Sequence, residues 1–309
     1  MKKSMVNQTH IEGILYEHNL EKKVTGKDSK NPGTEYIAGS IKVATNDELN
    51  NICEVFYTYV TPTTSTGKTN KAWPILNSII DGKIGTILKN GKENAGMVSI
   101  DSALALNEWY DNEDKLVSVP RNEGGFINVV SELNPDEKTR NTFKTDILIT
   151  GLKRIEEDEE RQIAEHIDIR GIIFNFKKEI LPITYSVYNE NAINYFESLE
   201  PSSQNPIFTK VWGRQESTTV KIQKVEESAF GEPSVTTIDR NRKSFTVTGA
   251  IQEHYEWDLE ETLLASEVQE AQAQRELKLA EIKTRRDEYR NKQNQASTTP
   301  TVAMGGFDF

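Results

Sequence analysis

The pattern in this chain that points to a chemistry is aromatic rings interleaved with lysine and arginine on extended segments. Nonspecific binders of single-stranded nucleic acid need flat rings on which bases stack, at roughly 1–3 kcal/mol per base, and cations beside the backbone path. One such set is Tyr36, Phe56, Tyr57, Tyr59, Trp73, Trp109 and Tyr110 with Lys42, Lys68, Lys71 and Arg121. A second is Phe174, Tyr185, Tyr188, Phe208 and Trp212 with Arg170, Lys177, Lys210, Arg214, Arg240 and Arg242. Alternate residues of a barrel strand face inward, so about half of these rings are packing. Tyr57 and Tyr59 share a face opposite to Phe56, and we read the tyrosine face as the exposed one. Trp212, set between Lys210 and Arg214, reads equally as core or as a base platform.

Other chemistries find less support. Thr66-Gly67-Lys68-Thr69 resembles the end of a phosphate-binding loop, but the position that needs glycine is Pro62 and no strand–loop–helix context surrounds it. It reads as a basic hairpin tip. The four histidines are scattered and lack metal-ligand spacing with Cys53 or with each other. No Gly-x-Ser-x-Gly turn presents a nucleophile. The run Glu156-Glu157-Asp158-Glu159-Glu160 reads as a solvated acidic loop. The expectation is a binding protein without catalytic residues, metal or cofactor.

The elements that must position these residues are declared by a repeat. Glu35-Tyr36-Ile37-Ala38-Gly39-Ser40-Ile41-Lys42-Val43 returns as His166-Ile167-Asp168-Ile169-Arg170-Gly171-Ile172-Ile173-Phe174, and Phe56 to Val60 returns as Thr184 to Tyr188. Val117 to Val129 is answered by Val235 to Val247, in the same order. Each copy alternates apolar and polar residues with period two, and its strands carry glycines (Gly13 and Gly39; Gly151 and Gly171) that mark bulges or barrel corners. A helix-like stretch follows the third strand of each, Trp73 to Ile80 and Asn191 to Leu199, and two further strands close the copy. That order predicts a mainly β protein of two tandem OB-like five-stranded barrels. The boundaries read as 1–131 for the first barrel, 132–141 for a linker and 142–250 for the second barrel. A long charged helix over 251–296 follows, with its helix-forming run beginning near Glu253, and then a flexible tail over 297–309.

Composition narrows the class. The net charge of −11 is spread out: residues 1–140 carry 16 basic and 19 acidic side chains, residues 141–250 carry 14 and 17, and residues 251–309 carry 7 and 12. Neither copy has the basic balance of a duplex-DNA binder. One cysteine permits no disulfide within the chain, which fits a reducing cytoplasm. Met1-Lys2-Lys3 is not followed by an apolar signal region, and no apolar stretch is long enough to span a membrane.

The chain ends in Gly306-Phe307-Asp308-Phe309. In layout it resembles the single-stranded DNA-binding proteins of bacteria and their viruses, which have an OB barrel, a low-complexity tail and a short acidic tip ending in phenylalanine. The resemblance covers the barrels and the final residues. It implies single-stranded DNA as partner (RNA is not distinguished) and replication or recombination proteins docking on Phe307, Asp308 and Phe309. Two barrels and a long helix depart from the one-barrel bacterial form and favour a phage-encoded version. The alternative reading is a phage structural or assembly protein built from tandem β barrels, and a nuclease is limited by the missing acid cluster.

Overall fold

Period-two alternation buries Thr9, Ile11, Gly13 and Leu15 along the first strand, and the same rule builds the strands of both copies. The computed structural model describes residues 4–159, 163–226 and 234–297, with backbone only over 218–226, 234–242 and 292–297. The first copy contributes β1 (Asn7–His18), β2 (Glu21–Val24), β3 (Glu35–Ala44), β4 (Ile52–Val60), β5 (Met97–Tyr110) and β6 (Leu116–Val129). Between β4 and β5 lie α1 (Ala72–Ile80) and the single turn α2 (Ile87–Asn90). The second copy contributes β7 (Asn141–Ile155), β8 (His166–Phe174), β9 (Ile180–Val187), α3 (Glu190–Ser198), β10 (Ile207–Glu226) and β11 (Ser234–Ala250). Last comes α4 (Ala265–Ser297).

In each copy five strands pair in a circuit that returns to its start. In the first, β1 pairs β3, β3 pairs β4, β4 meets β6 in parallel, β6 pairs β5 and β5 returns to β1. In the second, β7, β8, β9, β11 and β10 follow the same sequence of pairings, again with one parallel contact, between β9 and β11. A helix sits between the third and fourth members of both. The circuits are joined edge to edge: Asn7–Ile11 of β1 pair with Asn141–Thr145 of β7. The protein is therefore mainly β, one eleven-stranded sheet among the described residues, with a C-terminal helix. None of its described helices is long and apolar enough to cross a membrane.

Each circuit encloses its own core. Ile11, Ile41, Val55, Tyr57 and Ile100 fill the first, and Ile147, Ile169, Ile183, Tyr185 and Val211 the second. Full burial of such side chains stabilises by roughly 1.5–3 kcal/mol each. Tyr57 and Tyr185 occupy matching places in the repeat, yet their hydroxyls differ. Tyr185 shares a 2.9 Å hydrogen bond with Thr145, whereas the Tyr57 hydroxyl is buried with no partner among the described residues. An unsatisfied buried hydroxyl costs about 1–3 kcal/mol. Tyr57→Phe is expected to leave stability equal or raise it by about 1 kcal/mol, and Tyr185→Phe to lower it by a similar amount. Urea denaturation of both variants checks this; a marked loss for Tyr57→Phe would mean that its hydroxyl is used.

The C-terminal helix begins at Ala265, not near Glu253 as composition predicts. Packing overrides propensity there: Tyr255 bridges to Phe208, and Trp257 and Leu263 cover Phe174, Ile180 and Phe208. Asp258 takes a positive φ of 61° and its carboxylate accepts from the Ala265 amide, so the helix starts where that contact closes.

Beyond this apolar root, charges hold α4. Arg275 pairs with Glu108 on β5 and Lys278 with Glu179 at 3.4 Å. Arg286 and Arg290 grip the β5–β6 turn through Asp114 and the Asp111 carbonyl. Lys283 and Arg286 lie over the Tyr110 ring at 5.8 and 5.6 Å. The hydrogen bond from Arg286 holds the Asp114 carboxyl below its ordinary range.

Candidate nucleic-acid interface

The site starts at a bend. Gly39 has φ +133°, and any Cβ there would lie 2.5 Å from the Asn19 carbonyl oxygen. The pairing of β3 with β4 shifts register between Ile37 and Gly39, where β4 carries one extra residue, and beyond the shift Ile37 and Val60 still pack on the first core. Tyr36 and Tyr59 meet on the other face of this end of the strand pair, with ring centroids 4.8 Å apart and planes inclined by 39°. Strict alternation would set Tyr59 with buried Cys53, Val55 and Tyr57, but the extra residue turns it outward and it is 49% exposed.

Two loops flank the ring pair. The β2–β3 turn, residues 25–34, carries Lys27 and Lys30. The β4–α1 connection, residues 61–71, folds back through a Thr63–Thr69 bridge, turns at Gly67 (φ +77°) and carries Lys68 and Lys71. All four lysines are exposed, and none makes an ion pair among the described residues. The sole acid within these two loops is Asp28. A locally cationic corner around two tilted rings, Tyr59 exposed and Tyr36 half-buried, thus stands on an otherwise acidic chain. Lys23 adds a cation opposite Tyr36 on β2, paired with Glu21 at 3.1 Å. Trp73, just after Lys71, is half-buried against the first core.

Other sequence-predicted residues lie elsewhere. Tyr57, Phe174 and Tyr185 are 1%, 1% and 0% exposed, so the exposed tyrosine face expected from sequence is corrected at Tyr57, and Phe174 and Tyr185 are likewise shut away from any base. Tyr57 continues the inward series of β4, Tyr185 does the same on β9, and Phe174 lies under Leu263 from the root of α4. Lys42 is drawn to Glu17, whose hydrogen bond raises the lysine pKa. Arg121 pairs with Glu123 at 2.9 Å and covers Phe56 at 5.2 Å. Arg170 is exposed on β8.

A second patch forms on β10. Trp212 is 38% exposed, lies against Gly249 and faces Lys144 across the β7 pairing. Lys210 is 3.8 Å from Asp146, and Arg214 is 4.0 Å from Glu216. Arg240 and Arg242 occupy register positions opposite Val220 and Thr218 on the long β10–β11 arm, and their side chains lie outside the described residues. Phe307, Asp308 and Phe309 are also outside them.

Sequence reasoning missed Lys27 and Lys30, although Gly26 and Asn31-Pro32-Gly33 announce the turn that presents them. It also missed Phe176, 90% exposed in the β8–β9 turn beside Lys177. This turn, the β5–β6 ribbon and α4 bound a groove of about 1150 Å³. Its rim is mixed in charge: Arg121, Lys177 and Lys178 face Glu123, Glu267 and Glu270. That mixture does not favour a polyanion as the Tyr36–Tyr59 corner does.

No curated protein matches this sequence. Among solved structures, a deletion mutant of the single-stranded DNA binding protein from Thermus aquaticus is similar with a TM-score of 0.46 and 11% identity, over 82% of this chain and 96% of that one. The model of the YorF family matches residues 6–285, nearly the whole of both circuits and most of α4, and on that match the chain belongs to the YorF family.

Proposed function

We propose that this chain binds single-stranded DNA without sequence preference, using two OB-like barrels as scaffold. The observation that carries the reading is the pair of exposed Tyr59 and half-buried Tyr36 held between two lysine-bearing loops. Bases stack on the rings while Lys27, Lys30, Lys68 and Lys71 neutralise phosphates. The two closed circuits, each with a helix between its third and fourth members, support the barrel assignment. Trp212 with Lys210 and Arg214 is the second copy's contribution. The role is binding rather than catalysis, in replication or recombination, within the cytoplasm of a bacterial host if the chain is phage-encoded. Phe307, Asp308 and Phe309 recruit protein partners.

The test is intrinsic tryptophan fluorescence during titration with oligo(dT), repeated with duplex DNA and at two salt concentrations. Trp73 stands beside the Lys71 loop as the native reporter. The expected result is quenching by the single strand that weakens with salt, and little response to duplex. Tyr36→Ala with Tyr59→Ala should weaken binding about tenfold or more without unfolding the chain. No response at low salt would instead favour a structural or assembly role. That second reading draws on the net charge of −11 and on cations spent in internal ion pairs such as Arg275–Glu108.

A further inference from the structure

The second copy carries its own ring pair at the same end of the matching strands, one residue out of step, since His166 answers Glu35 and Tyr188 answers Val60 in the repeat. His166 opens β8 and Tyr188 follows β9, and their rings lie 4.7 Å apart with planes inclined by 30°. The ring spacing and tilt are close to those of the first pair and Tyr188 is 37% exposed, but its partner His166 is buried. The charge of the corner is inverted. The loop that leads into β8 places Glu156, Glu157, Asp158, Glu159 and Glu165 where the first copy places Lys27 and Lys30. The strand leading into that loop contributes Arg154, but Glu165 at 2.7 Å and Glu197 at 3.1 Å already claim it. His166 donates from Nδ1 to the Ala164 carbonyl at 2.7 Å, and its Nε2 lies 3.3 Å from Asp168, so its ring is pinned and only 5% exposed. After β9 the chain enters α3 at Glu190 with no counterpart of the Lys68 and Lys71 loop.

We propose that the two equivalent corners have divided: the corner of Tyr36 and Tyr59 takes the single strand, and the corner of His166 and Tyr188 turns it away by charge. This rests on the single-strand reading above. Stacking alone does not tell the corners apart, because each offers one open tyrosine, Tyr59 and Tyr188, to a base. The phosphates do. A strand laid on the first corner meets four lysines that make no ion pair among the described residues and one acid, whereas the loop at the second, residues 156–165, holds six acids and one base, Arg161. Like charges at that density repel a polyanion whatever the rings gain from stacking. One chain then engages one stretch of strand, within the roughly 4–16 nucleotides that a single OB-like unit covers. The two copies do not act as equivalent, mutually reinforcing sites.

The experiment uses the full chain and fluorescein-labelled oligo(dT), with affinity and stoichiometry read by anisotropy at low salt. Three variants are compared with the parent: Tyr59→Ala, Tyr188→Ala, and Glu156→Lys combined with Glu157→Lys and Glu159→Lys. The expected pattern is a loss of about tenfold for Tyr59→Ala and no change for Tyr188→Ala. The lysine variant should gain affinity or bind a second oligonucleotide per chain. Equal losses for the two tyrosine variants would overturn the division of the corners while leaving single-strand binding intact. So would a lysine variant unchanged in both affinity and stoichiometry. No binding by the parent chain would remove the single-strand reading, and this inference with it. Circular dichroism of each variant confirms the fold, which these exposed positions should not disturb.

Discussion

Replacing Lys27, Lys30, Lys68 and Lys71 together by alanine will flatten the salt dependence of single-strand binding. Each phosphate neutralised on a single strand contributes about 0.7 to the slope of log K against log salt, so four lost contacts remove about 2.8. At low salt, where these contacts contribute most, affinity should fall by two to three orders of magnitude, roughly. The lysines are exposed and make no ion pair among the described residues, so removing them should leave stability unchanged within about 0.5 kcal/mol. Binding titrations from about 50 to about 300 mM salt are sufficient to see the slope change. A parallel downward shift with the slope retained would place the phosphates elsewhere, with the Trp212 patch as the next candidate.

The second large effect concerns the joint. Phe143→Ala is expected to cost about 3–5 kcal/mol, a sizeable fraction of the roughly 5–15 kcal/mol that holds a domain together. Phe143 is 2% exposed, stacks on Tyr185 at 4.6 Å and takes the edge of Phe245 at 5.8 Å. The backbone of Gly213 comes so close that a Cβ there would lie 2.9 Å from the Phe143 ring. Phe143 also faces Thr9 across the β1–β7 pairing, so the cavity opens beside the strands that join the copies. Thermal unfolding followed by circular dichroism should show one transition, lowered on the order of 10 °C. Two separate transitions, with the first copy melting as in the parent, would show that the joint does not couple them.

Much of this was legible in the sequence because a duplicated pattern is read twice. The alternation around Gly39 and Gly171, and the helices after the third strands, needed only period and order. The site was harder, and Tyr59 shows why. Strict alternation puts it with Tyr57, Val55 and Cys53 on the inner face, but the extra residue of β4 at the register shift reverses the alternation, so that Val60 packs on the core and Tyr59 faces out. That shift is a fact of strand pairing rather than of local composition. The polar side of β4, with Glu54 and Thr58, was the available clue that Tyr57 points inward. Phe174 was hidden by Leu263, distant along the chain, and the late start of α4 has the same cause. Helix propensity from Glu253 onward was real but lost to the packing of Tyr255 and Trp257.

The clasp of α4 gives ionic strength two opposite signs in one molecule. Salt screens Arg286 and Arg290 from the exposed Asp114, while the buried Arg275–Glu108 pair and the apolar root at Leu263 are little affected, so rising salt loosens the far end of the helix from the β5–β6 turn. On the proposed function the lysine corner responds the other way and would release its strand under the same screening. The groove beneath α4 therefore opens at its β5–β6 end under the conditions in which a strand would leave the corner. Whatever uses the two surfaces, brine favours one and fresh water the other.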